Sequence, residues 1–109
     1  MIKRDILGKQ AKFSFLGIGS NLGDRKKNIE IAKNLLNNNK IYIEDSSNYY
    51  ETPSWPNNKF PKFYNIVVKI SSDLTLVALF KTIKQIECTF GKRSPKKNYP
   101  RKCDIDIID

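Results

Sequence analysis

The stretch FYNIVVKISSDLTLVALFKTIKQIECTFG, residues 63–91, decides the fold because it sets a strand and a helix back to back with their boundary residues. Its first part, FYNIVVKIS, is rich in β-branched and aromatic residues and predicts a strand over 63–71. Thr75 then offers an N-cap. Leu76, Leu79, Phe80, Ile83, Ile86 and Phe90 recur at helical spacing and predict one buried stripe, which Gly91 closes at the usual C-terminal position.

Toward the N-terminus, KFSFLGI at 12–18 predicts a strand that enters the tight turn GSNLGD. That turn has neither GxxxxGK[ST] nor GxGxxG spacing, so a strand-to-helix turn is a better reading of it than a phosphate loop. Ile29, Ala32, Leu35 and Leu36 then mark an amphipathic helix with Asp24 near its positive end, and the run Asn37, Asn38, Asn39 stops it. Residues 40–51 predict a second strand with a polar interruption at 45–48. Pro53, Pro56 and Pro61 make 52–62 a loop. Toward the C-terminus, residues 92–102 carry six basic and no acidic side chains with two prolines, the pattern of a mobile basic loop, and CDIDIID at 103–109 predicts a last strand. Strand, helix, strand, strand, helix, strand is the ferredoxin-like βαββαβ pattern of an α+β domain: an antiparallel sheet with both helices on one face. Residues 1–11 are expected to be a flexible lead-in and 12–109 a single domain.

A chain of 109 residues suits one core. No apolar run approaches a membrane span, and the first ten residues lack the apolar stretch of a secretory signal. Cys88 and Cys103 have no CxxC spacing and are expected to be buried free thiols. With no histidine, imidazole bases, His-based zinc sites and Ser-His-Asp triads are excluded within this chain. A net charge of +9 favours anionic partners without choosing among nucleotides, nucleic acid and acidic lipid.

Asp104 and Asp106 are two apart on a strand, so their carboxylates share a face. Two like charges so close favour a cation between them, and a carboxylate pair with nucleotide phosphates suits Mg²⁺. The plainer alternative is a solvated strand face. Arg101 lies three residues upstream, with Lys92, Arg93, Lys96 and Lys97 before it. A triphosphate held by metal on the aspartates would therefore meet cations on its other side, although such a loop also suits solvated charge or nucleic acid. Trp55 either packs on the domain or serves as a lid over a flat ring. Asn65 shares the strand face of Phe63 and could pair its amide with a heterocycle edge.

Taken in order, GIGSNLGDR (17–25), YYETPSW (49–55), FYN (63–65), QIE (85–87) and PRKCDIDII (100–108) resemble the signature blocks of the hydroxymethyl-dihydropterin pyrophosphokinases of folate biosynthesis. The resemblance implies diphosphate transfer from ATP to 6-hydroxymethyl-7,8-dihydropterin with release of AMP. It implies two Mg²⁺ ions on Asp104 and Asp106, and Arg101, Lys92 and Arg93 as catalytic cations on the phosphates. Lys84, where the family usually has glutamine, Glu87 and Ile107 join those cations in the implied ATP site. Thr52, Pro53, Trp55, Phe63 and Asn65 would form the pterin pocket. It further implies a cytoplasmic monomer without membrane or nucleic-acid partners. Family members continue for about another third of their length beyond the aspartate strand, so this chain alone is expected to be a truncated and weak enzyme. The alternatives from other classes are a ferredoxin-like RNA-binding module, which lacks its RNP-type aromatic run here, and an inactive nucleotide-binding remnant.

Overall fold

Two strands in the middle of the sheet carry most of its order. In the computed structural model, which describes residues 13–56, 58–91 and 99–108, β1 (Phe13–Ser20) pairs antiparallel with β4 (Phe63–Ser72) from Phe13 opposite Ser71 to Ser20 opposite Tyr64. β1 is longer than the 12–18 expected from sequence at its C-terminal end, because the ladder with β4 continues through Gly19 and Ser20. Helix α1 (Arg25–Asn38) follows Gly23, whose φ of 74° only glycine takes without strain, and Asp24, whose carboxylate accepts the Lys27 N–H at 3.2 Å. Lys40 closes the helix at a φ of 66°, an uncommon position for a side chain other than glycine or asparagine.

The second predicted strand is two strands. β2 (Ile41–Ser46) and β3 (Tyr50–Thr52) both pair with β4. Between them Ser47 takes over the ladder: its N–H donates to the Val67 carbonyl at 2.8 Å, and its hydroxyl accepts the Val67 N–H at 2.9 Å. Helix α2 (Leu76–Cys88) is N-capped by Thr75 as predicted, and Gly91 follows at a φ of 103°. β5 (Asp104–Ile107) is shorter than the 103–109 expected and pairs antiparallel with β1.

Among the described residues the result is an α+β domain with an antiparallel five-stranded sheet in the order β2-β4-β1-β5, β3 adding to β4, and two helices. Leu16, Ile18, Ile66, Val68, Ile70 and Ile105 point from one sheet face into a single core with Ile29, Ala32 and Leu36 of α1 and Leu79, Ile83 and Ile86 of α2. Both helices therefore cover the same face. Two core expectations are corrected. Phe80 is 53% exposed, at the edge of the stripe, with the Lys84 ammonium 5.2 Å from its ring centroid. Cys103 is buried but Cys88 is exposed, because five residues past Ile83 places it roughly 140° around the helix from the core. Among the described residues no helix is long and apolar enough to cross a membrane.

Candidate functional site

The face of the sheet opposite the helices holds an open cleft of about 330 Å³ at the junction of β1, β3, β4 and β5. Its floor is glycine. Gly17 and Gly19 pair with Asp106 and Asp104 on one side and with Val67 and Asn65 on the other. A Cβ at Gly19 would sit 2.9 Å from the Asn65 Oδ1 and 3.3 Å from Phe63, and one at Gly17 would sit 3.2 Å from the Ile108 side chain. The missing side chains thus leave the space between the Asn65 amide and the aspartates open.

One wall is built by β3 and β4. The Asn65 Nδ2 donates to the Thr52 Oγ1 at 3.0 Å and to the Tyr50 carbonyl at 3.4 Å, which turns its Oδ1 toward Gly19 and the cleft. Thr52, Phe63 and Asn65, three of the five predicted ring-binding residues, line this space. Pro53 and Trp55 do not: Pro53 is exposed, and Trp55, 78% exposed, is not a core anchor. Its loop leaves the body after Ser54, which is buried and bonded instead.

The opposite wall is β5. Ile105 enters the core, so Asp104 and Asp106 both face the cleft, as the two-residue spacing predicts. The Arg101 Nη1 lies 3.1 Å from the Asp104 Oδ2. Arg101 also lines a second cleft of about 260 Å³ with Leu22, Glu87, Phe90 and Lys102, so one residue borders that cleft and pairs with Asp104. Glu87 is 8% exposed. One of its oxygens accepts the Ile105 N–H at 2.7 Å and the other meets the Lys84 Nζ at 3.3 Å, so it braces the backbone between the two aspartates. Lys84 is exposed on α2, and Ile107 is 37% exposed at the end of β5. Lys92 and Arg93 lie outside the described residues.

Among the described residues no three His, Cys, Asp or Glu groups cluster as a metal cage. Two hard oxygen donors on one face, with space for a ligand beside them, fit Mg²⁺, which takes its remaining ligands from phosphate and water. Away from the cleft, burial together with a hydrogen bond to Glu30 and that carboxylate's charge pushes the Tyr49 phenol up to about 12.

Four residues of the site are not singled out by the sequence: Gly17, Gly19, Tyr50 and Asn21. The glycines left a signal, since positions two apart on a strand share a face. Asn21 is 1% exposed at the end of β1 and bonds to segments far away in the chain.

Residues 15–109 match the model of the family 7,8-dihydro-6-hydroxymethylpterin-pyrophosphokinase. The chain is 37% identical over 99 residues to the 2-amino-4-hydroxy-6-hydroxymethyldihydropteridine pyrophosphokinase of Helicobacter pylori, covering 85% of this chain and 59% of that one. It is 36% identical over 94 residues to the protein of that name in Aquifex aeolicus, covering 86% and 58%. It is 39% identical over 94 residues to a folic acid synthesis protein of Dictyostelium discoideum, covering 86% of this chain and 14% of that one. The chain thus spans less than two thirds of the length of each of these relatives.

Proposed function

The chain belongs to the 7,8-dihydro-6-hydroxymethylpterin-pyrophosphokinase family, and from that premise we propose that it carries out diphosphate transfer from ATP to 6-hydroxymethyl-7,8-dihydropterin in folate biosynthesis. The observation that carries this reading is one cleft with a carboxylate pair on one wall and the Asn65 amide on the other, over a glycine floor. A flat heterocycle fits that slot, with the Asn65 Oδ1 accepting from a ring N–H and Phe63 against the ring. Trp55, exposed on its loop, would cover a bound ring, and Pro53 would shape the loop's exit from β3. In the transfer, the pterin hydroxyl oxygen bonds to the β-phosphorus and gives up its proton to solvent, while the bond from that phosphorus to the α–β bridging oxygen breaks and AMP leaves. Arg101, with Lys92 and Arg93, balances charge on the phosphates, and Lys84, Glu87 and Ile107 border the nucleotide. Asp104 and Asp106 would hold the metal, two Mg²⁺ ions in this reading, which would supply positive charge against that of the triphosphate. Because no acid or base beyond these groups is required, positioning and electrostatics supply most of the rate.

Counted as one interrupted strand, β2 and β3 give the strand order of a ferredoxin-like sheet, and we infer that plan for residues 12–109 as one domain. A cytoplasmic monomer belongs to the same reading and rests on the resemblance alone. The test is single-turnover chemistry with protein in excess over ATP, followed by ³¹P NMR. Pterin-dependent AMP and a pterin diphosphate in equal amounts are expected; ADP, orthophosphate or no pterin-dependent AMP refutes the assignment.

A further inference from the structure

Asn21 joins the two sides of the cleft through its backbone N–H and both ends of its side-chain amide. Its backbone N–H donates to the Arg101 carbonyl at 3.0 Å, and its Oδ1 accepts the Arg101 N–H at 2.7 Å. Its Nδ2 donates to the Ser54 Oγ at 3.0 Å and to the Pro61 carbonyl at 3.3 Å, while the Ser54 hydroxyl donates to that same carbonyl at 2.6 Å. The amide orientation follows from its neighbours, since the Arg101 N–H needs an acceptor and the Pro61 carbonyl needs a donor. Arg101 begins the segment that delivers Asp104. Ser54 and Pro61 are the two ends of the proline loop that leads into Phe63 and Asn65. A buried network in which both ends of the amide and the serine hydroxyl are bonded favours one arrangement of its members over looser ones.

We propose that Asn21 is a positioning residue that couples the proline loop to the Arg101 segment, so that order in one is transmitted to the other. The two-substrate reading enters only in naming what each segment holds: ring on one side, phosphates on the other. No neighbouring residue type would serve as well. Serine lacks the reach and the second donor, and aspartate keeps the acceptor for the Arg101 N–H but sets an oxygen against the Pro61 carbonyl.

The test perturbs one segment and reads the other without ligand. Amide exchange at Arg101 is followed by NMR, and the fluorescence anisotropy of Trp55, the chain's single tryptophan, reports on the proline loop. Asn21→Ala should speed Arg101 exchange by about tenfold or more and lower the Trp55 anisotropy together. Asn21→Asp should lower the anisotropy as Asn21→Ala does but speed Arg101 exchange less than Asn21→Ala, because a carboxylate oxygen still accepts that N–H while the loop contacts are lost. The deciding arm is a double-mutant cycle: Ser54→Ala should speed Arg101 exchange in the wild-type background and leave it unchanged in the Asn21→Ala background. Ser54→Ala without effect at Arg101, or with the same effect in both backgrounds, overturns the coupling. A Mg²⁺ complex of α,β-methylene-ATP, added last, should raise the Trp55 anisotropy in wild type and not in Asn21→Ala. If it does not bind wild type at all, the functional reading fails while the cycle still decides the coupling.

Discussion

Replacing Glu87 with alanine removes the acceptor of the Ile105 N–H, the amide that lies between Asp104 and Asp106. That hydrogen bond is buried and its acceptor is a carboxylate, so its loss costs roughly 1.5–3 kcal/mol, with the amide left beneath the surface of an edge strand. The second oxygen's pair with Lys84 adds little, since the Lys84 side chain is about half exposed and solvent screens the charge. Taking about 2 kcal/mol at about 4–8 °C per kcal/mol for a domain of this size, the midpoint of thermal unfolding should fall by roughly 8–16 °C. Glu87→Gln keeps a carbonyl oxygen for the amide and should lose about half as much, and Lys84→Ala should cost less than about 0.5 kcal/mol. Circular dichroism melts and urea titrations of the three variants separate the cases. If Glu87→Ala unfolds within about 0.5 kcal/mol of wild type, or if Lys84→Ala costs as much as Glu87→Ala, the brace on β5 has been misjudged.

Gly19→Ala should keep the fold, as the backbone there does not require glycine, yet weaken pterin binding by about tenfold or more, because the new Cβ lies 2.9 Å from the Asn65 Oδ1. Gly17→Ala meets only the movable end of Ile108 and should stay within about threefold; fluorescence titration with the pterin measures both, and equal effects would deny that Gly19 sets the slot. The Tyr49 phenol, raised from 10.0 to about 12, holds its proton more tightly folded than unfolded. Its contribution is therefore complete below pH 10 and lost as pH rises toward 12. Urea midpoints at pH 9 and pH 11 should diverge less in Tyr49→Phe than in wild type, and an unchanged difference would remove Tyr49 from the alkaline loss.

The parts of this molecule legible in its sequence are those set by short-range periodicity. Ile29, Ala32 and Leu36, Thr75 as N-cap, and the alternation of Asp104, Ile105 and Asp106 all appear where spacing places them, because each depends on neighbours within a turn or two. The break between β2 and β3 was legible as a polar interruption but not as two strands, since it depends on the Ser47 hydroxyl standing in for backbone on β4. Trp55 and Phe80 have core chemistry, but whether a neighbour covers them is a tertiary matter, and no spacing rule reports it. Asn21 was the least legible: its partners lie 33, 40 and 80 residues away, and its own segment reads as an ordinary turn. The resemblance points Glu87 to a nucleotide contact, whereas its place beneath β5 depends on how α2 and β5 come together.

In the proposed function the Asp104 and Asp106 pair is the metal-dependent phosphate site. Its most direct test is calorimetric titration of the protein with α,β-methylene-ATP, with and without Mg²⁺, in wild type, Asp104→Ala and Asp106→Ala. Mg²⁺ should tighten binding to wild type by at least about tenfold, and each substitution should abolish this gain. Wild-type Mg²⁺ dependence retained in both variants would contradict it.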